Sequence, residues 1–316
     1  MASPALTSNY PNGFRGGVSV LGAPILNTYG GNLFWVDSGS GSNGNKGTHD
    51  QPWATIDYAV GKCTANNGDM VMVKAGHSET YSAAAGATLD VAGVHFVGLG
   101  TGSDRPKIIM DTAATVDINV TAANCGFHNF QFEAGVADIA KIFHVTAKNF
   151  VVNGCEFREQ AATENWVLII DCDGTTNNEC DGLQFTNNVV IGADTANQNV
   201  VKIAADLTGL VFSDNYIELG ILDNDAMIEV LTGKDLRSCR IMNNLFYRLN
   251  TAGELLINVD TGTANTGIAA NNLFGCLDVN GVVLIETTTR IMHFENYVTG
   301  VADESGYLDP AAGADS

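Results

Sequence analysis

Leu210-Val-Phe-Ser-Asp-Asn215-Tyr-Ile, Arg240-Ile-Met-Asn-Asn244-Leu-Phe and Ile268-Ala-Ala-Asn-Asn272-Leu-Phe are three copies of one phrase. Each alternates apolar residues, adds one or two polar residues and an Asn, and then turns apolar again. That pattern describes a short strand, a corner and the start of a second strand. Further copies lie on both sides: Val94-His-Phe-Val-Gly98-Leu, Phe127-His-Asn129-Phe-Gln-Phe, Phe150-Val-Val-Asn-Gly154-Cys-Glu-Phe, Leu183-Gln-Phe-Thr-Asn-Asn188-Val and Phe294-Glu-Asn296-Tyr-Val. The markers Gly98, Asn129, Gly154, Asn188, Asn215, Asn244, Asn272 and Asn296 are separated by 24 to 34 residues.

A further strand recurs inside each interval, as in Val200-Val-Lys-Ile203, Met227-Ile-Glu-Val230, Leu255-Leu-Ile-Asn-Val259 and Val282-Val-Leu-Ile-Glu286. Fourteen residues after the last four complete markers stand Lys202, Glu229, Asn258 and Glu286, each polar between uncharged neighbours. Side chains alternate across a strand, so this position is expected to face solvent and its neighbours the interior.

A leucine-rich repeat would need its Leu-x-x-Leu-x-Leu pattern, and a propeller blade about four strands in 40 or more residues. Two or three short strands per repeat with Asn at a fixed corner instead predict an all-β chain: a right-handed parallel β-helix of about eight rungs. Stacked at roughly 4.8 Å, the rungs make a rod on the order of 40 Å long. Asn129, Asn188, Asn215, Asn244, Asn272 and Asn296 are expected to form a column in which each amide bonds to the next rung, at a corner whose left-handed backbone Asn tolerates. The apolar spacing of Trp53, Ile56, Ala59, Val60 and Cys63 predicts a short amphipathic helix over residues 53–63, capping the open N-terminal end. The expected organisation is an N-terminal arm and linker (1–47), a capped β-helix (48–300) and an acidic Gly/Ala-rich tail (301–316) that frays. Ser38-Gly-Ser-Gly-Ser-Asn-Gly-Asn-Lys-Gly47 reads as a flexible surface loop.

Charge narrows the function. Fifteen Lys and Arg against 35 Asp and Glu give a formal net charge of −20, which disfavours nucleic acid or an anionic membrane surface as partner. Met1-Ala-Ser-Pro-Ala-Leu lacks a basic and apolar leader, and no uncharged apolar run reaches bilayer length, so neither a secretion signal nor a membrane anchor is expected. Seven cysteines without a CxxC pair predict free thiols in a reducing cytoplasm.

Pro52-Trp-Ala-Thr-Ile-Asp-Tyr-Ala-Val, followed by Gly68-Asp-Met-Val-Met-Val-Lys-Ala-Gly-His77 and the rungs, resembles the opening of the pectate-lyase-like right-handed β-helix superfamily. The resemblance covers about residues 50–300 and implies the fold; the superfamily holds lyases, hydrolases, tail spikes and non-catalytic virion proteins, so it does not fix function. The Gly-His-Gly and Arg-Ile-Lys motifs of its polygalacturonase-like members are missing. Tyr10-Pro-Asn-Gly-Phe-Arg-Gly-Gly-Val-Ser-Val-Leu-Gly-Ala-Pro24 with Leu33-Phe-Trp-Val-Asp37 is similar to phage-encoded β-helix virion proteins. That second resemblance implies a non-enzymatic capsid decoration or head-spike protein in the virion, assembled in the host cytoplasm. Its implied docking arm carries Tyr10, Phe14, Arg15, Val18, Val20 and Leu21. The implied partners are a phage major capsid protein or another virion protein, in a homotrimer, with a host surface glycan as a further ligand. The alternatives are a tail-spike glycan lyase or hydrolase and a non-catalytic glycan adhesin.

No catalytic residue, cofactor or metal is assigned from the sequence, but two acidic pairs stand out. Asp171 and Asp173 alternate at a strand end and lack the further ligands of a calcium loop, so an acidic turn is the plainer reading. Glu229 and Glu286, two rungs apart, are expected about 9.6 Å from each other, near the spacing of an inverting glycosidase; their alternation with Lys202 and Asn258 makes ordinary solvation of an outer sheet the plainer reading. The six histidines form no HxxxH or HExxH and read as surface or rung residues, and Tyr216, Tyr247 and Tyr297 read as rung aromatics that stack within the helix or on sugars.

Overall fold

The structure is a computed structural model that describes residues 18–20, 23–25, 31–173, 176–193, 198–220, 226–248, 256–259, 262–275, 285–287, 290–299 and 306–307. The alternating segments form three long sheets. The first has ten strands, from Leu33–Val36 to Ile291–Phe294; the second has ten and the third eight. One turn shows the winding: Val211–Ser213 lies in the first sheet, Tyr216–Leu219 in the second and Ile228–Val230 in the third, before the chain re-enters the first at Cys239–Met242. Successive turns pair in parallel and in register, as in Phe212↔Ile241, Ile217↔Phe246 and Val201↔Ile228. The expected parallel β-helix is therefore the fold, with three strands per turn.

In-register stacking places like side chains directly above one another. Phe185 and Phe212 stack at 5.2 Å and 16°, Phe246 and Phe274 at 5.3 Å and 7°, and Phe132 and Phe157 at 5.0 Å and 13°, all fully buried. A strand spacing of about 4.8 Å matches the offset-stacked distance of aromatic rings, so the same spacing satisfies the backbone ladder and the ring stack.

At the corner between the first and second sheets, two adjacent residues divide the work that the sequence reading gave to one. The left-handed backbone falls on Asn129, Gly154, Asn187, Asp214, Asn243, Asn271 and Glu295, with φ between +53° and +64°. The following Asn points inward. Asn188, Asn215, Asn244, Asn272 and Asn296 are buried, and each Nδ2 donates to a carbonyl of the preceding turn: to the oxygens of Val152, Phe185, Phe212, Ile241 and Ala269, at 2.9–3.0 Å. Each Oδ1 accepts the backbone N–H of the equivalent residue one turn earlier, at 2.8–3.1 Å. Asn129 is the correction: it holds the left-handed position and donates to the oxygens of Gly98 and Gly100, while Phe130 and then Cys155 occupy its ladder position.

At the N-terminal end the helix is Ile56–Val60, shorter than the expected 53–63. It rests on Leu33–Val36 and Ala87–Leu89 and buries Ile56, Ala59 and Val60. Trp53 instead bridges to Val36, and its indole N–H donates to the Asn45 oxygen at 2.9 Å. The 38–47 segment, expected to be flexible, is tied down: Asn43 Oδ1 accepts the N–H of Ala54, Asn45 donates to the Pro52 oxygen, and Gly47 lies on the Trp53 ring at φ +72°. A Cβ on Gly47 would sit 2.5 Å from that indole, so this glycine is a packing requirement.

Asp69, fully buried, fastens the first strand. Burial alone would push its pKa up, but hydrogen bonds from the Asn32 and Thr64 backbone and from the Asn67 and Asn32 amides outweigh it and hold the carboxyl below its ordinary value. A depressed folded pKa contributes stability that is present above the unfolded pKa of about 3.9 and is lost as pH falls through the folded value. Asp69→Asn is therefore expected to lower the melting temperature at pH 7 and to shrink its difference from the parent below pH 4; a difference independent of pH would refute this role.

At the C-terminal end the tail expected to fray contributes a strand. Gly306–Tyr307 pairs antiparallel with Tyr297 and Val298, covering part of the edge of the second sheet.

Candidate functional site

The outer face of the third sheet carries a continuous polar row. Thr88, Asn119, His144, Asp171, Lys202, Glu229, Asn258 and Glu286 are register partners on eight successive strands. From Thr88 to Asn258 the apolar neighbours point inward, so strand alternation alone directs these residues outward. Lys202, Glu229, Asn258 and Glu286 do align as the 14-residue offset predicts, and the row continues four residues further toward the N-terminus than the sequence reading traced it.

Its members are not freely solvated, which corrects the expectation for Glu229. Only 8% of Glu229 is exposed; Lys202 Nζ lies 3.2 Å from its Oε2, and Asn199 Nδ2 donates to the same oxygen at 3.4 Å. Asn258 separates Glu229 from Glu286 in register, as expected, and the Glu286 side chain lies outside the described residues.

Asp171 and Asp173 form more than an acidic turn. Asp171 sits in the strand Leu168–Cys172, and Lys141 Nζ lies 2.5 Å from its Oδ2. Asp173 follows two residues later on the same face. His144, the register partner of Asp171 on the neighbouring strand, brings its Nε2 to 4.0 Å from Asp173 Oδ2, while its Nδ1 lies 3.2 Å from Asn119 Oδ1. One ligand atom from each of His144, Asp171 and Asp173 lies within 4.8 Å of the other two. His144, Lys141 and Asn119 escaped the sequence reading because each stands 27 to 54 residues from the Asp pair. The signal was present: carrying the Lys202–Glu229 register two strands back leads to His144.

Of the other histidines, His77 is buried and pairs with Glu79 at 3.2 Å, whose carboxylate accepts the N–H of Ile56 at the helix start. His95 and His128 meet at 3.0 Å, and burial pulls both pKa values down. Tyr216 and Tyr297 stand on the outer face of the second sheet, 38% and 49% exposed, in one row with Leu245 and Leu273; Tyr247 is half-buried in the adjacent row. Interior stacking is supplied by phenylalanine, not by these tyrosines.

Of the docking-arm residues, Val18 and Val20 lie in Val18–Val20, which pairs antiparallel with Ala23–Ile25. Tyr10, Phe14, Arg15 and Leu21 lie outside the described residues. The six described cysteines are free thiols, in line with the sequence reading. Among the described residues no helix is long and apolar enough to cross a membrane.

No protein-family model matches the sequence, and no curated protein matches it. Solved structures do match the fold. A pectate lyase from Bacillus sp. N165, in complex with trigalacturonate, superposes with a TM-score of 0.53 at 12% identity, over 99% of this chain and 93% of the lyase. A GH136 lacto-N-biosidase from Eubacterium ramulus gives 0.51 at 12% identity over 84% of this chain, which spans 56% of that enzyme. A rhamnogalacturonan lyase gives 0.47 at 14% identity, over 78% of this chain and 69% of the lyase. At such identities the likeness concerns architecture alone: this chain has a right-handed parallel β-helix fold, as the pectate lyase and the lacto-N-biosidase do.

Proposed function

We propose that the protein is a non-enzymatic structural component of a bacteriophage particle, a rigid capsid decoration or head spike attached through its N-terminal arm and assembled as a homotrimer. The observation that carries this reading is the commitment of its polar groups to the rod itself. The inward asparagines bond from turn to turn, and carboxylates on the outer faces are paired with cations of neighbouring turns, Glu229 with Lys202, Asp171 with Lys141 and Glu133 with Lys107, while Glu156 pairs with Arg105 two turns away and with Arg158 on its own strand. Such pairing stiffens a surface and gives it little free chemistry. The net charge of −20 favours separation from packaged nucleic acid.

A second reading, a glycan adhesin or glycan-degrading spike, is favoured by the outward Tyr216 and Tyr297, whose rings offer flat apolar faces to sugars. Deleting residues 1–31 is expected to leave a folded body that no longer co-purifies with particles. Retained incorporation would remove the docking role. Release of reducing ends from host polysaccharide by the intact protein would replace the structural reading with the enzymatic one.

A further inference from the structure

We propose that His144, Asp171 and Asp173 form a binding site for a first-row divalent transition-metal ion, of the zinc or cobalt class, on the outer face of the third sheet. The proposal does not depend on the particle role. His144 and Asp171 are cross-strand partners on two paired strands, and Asp173 follows directly after the end of Leu168–Cys172, so the ladder fixes the first two donors and leaves the third adjustable. Placement on a regular ladder fixes the separation of those two more firmly than a loop would.

The orientation of the imidazole points to the same conclusion. Asn119 Oδ1 can only accept, so the His144 Nδ1 at 3.2 Å carries the proton, and the Nε2 lone pair is left facing the carboxylates. A ligating histidine held through its other nitrogen by a neighbour on the protein is the usual arrangement around a bound metal. The Nε2 to Asp173 Oδ2 distance of 4.0 Å is too long for a hydrogen bond. It is close to the separation of about 3–3.5 Å between two ligands of one tetrahedral ion. Asp173, with 57% of its side chain exposed, has room for the remaining movement. Asp171 is less mobile because Lys141 holds one of its oxygens. That ammonium reduces the negative charge of the site and competes with a metal for Asp171.

Imidazole with two carboxylates suits a borderline metal better than calcium, which prefers six to eight oxygens. Three protein ligands leave a coordination position for water, and the bound ion would clamp Phe143–Val145 to Leu168–Cys172.

The test uses the full chain stripped with chelator and titrated with Zn2+ and Co2+ by calorimetry, visible absorption and thermal melting. Expected are one equivalent bound at about micromolar affinity, a Co2+ visible band, and a melting temperature raised by Zn2+. His144→Gln and Asp173→Asn should each weaken binding at least tenfold and abolish the band, with their metal-free melts unchanged. Lys141→Gln should tighten binding severalfold, because Asp171 loses its competing partner. Absence of Zn2+ and Co2+ binding up to millimolar concentration overturns the proposal. So does unchanged affinity in His144→Gln, which would place the metal on the thiols, and so does calcium binding more tightly than zinc.

Discussion

Phe157→Ala is expected to destabilise the protein by about 3–5 kcal/mol, the range for deleting a buried aromatic side chain. Phe157 is fully buried in the interior between the three sheets, with ring centroids 5.0 Å from Phe132, 5.7 Å from Phe185, 6.3 Å from Phe143 and 6.4 Å from Trp166. Turns above and below are pinned by their own ladders, so the gap cannot close by sliding strands together. Loss of the four ring contacts adds to the transfer term. Denaturant unfolding of the full chain, followed by both fluorescence and circular dichroism, measures it; a loss below about 1 kcal/mol would mean that the interior collapses around the gap, contrary to a register-locked stack.

Asn244→Leu keeps the branched shape of the side chain and removes the polarity. Asn244 Nδ2 donates to the Phe212 oxygen at 3.0 Å and to Asn272 Oδ1 at 3.0 Å; its Oδ1 accepts from the Asn215 backbone at 3.1 Å and from Asn215 Nδ2 at 2.9 Å. Leucine leaves the backbone N–H of Asn215 and the oxygen of Phe212 without these partners in a water-free interior. At about 1–3 kcal/mol for each buried group, the expected loss is about 2–6 kcal/mol. The adjacent residue is the control. Asn243 is exposed and holds φ +59°, so Asn243→Gly should be tolerated or slightly stabilising, because glycine adopts that backbone without strain. Equal loss at both positions would refute the division of work between the two asparagines.

That division shows where sequence reading succeeded and where it stopped. The Asn-Asn and Asp-Asn pairs marked four corners in the second half of the chain, and Glu295-Asn296 the next. Which member bends the backbone and which bonds between turns depends on a one-residue shift, and at a period of two such a shift exchanges inside for outside. Asn129, followed by Phe130 instead of a second Asn, was therefore placed in the wrong column. Glu229 was aligned correctly and judged solvated, because the sequence does not show that Lys202 and Asn199 close over it. The helix starts later than expected because the strand at Val36 captures Trp53, and it ends at Val60 with Gly61 as its C-cap. Val36, a register partner of Val73, belongs to the sheet before the helix begins, and local helical spacing gives no sign of that competition.

Local patterning by itself determined the parallel coil, its three-sided turns and the row that joins Lys202 to Glu286, because alternation and corner residues act over a few neighbours and repeat with the turn. Only the tertiary structure decided which residues of different turns share one point in space. His144 meets Asp171 and Asp173 because backbone ladders set turn upon turn in register, and the loops between strands vary in length by several residues, so contacts across turns cannot be counted off along the chain.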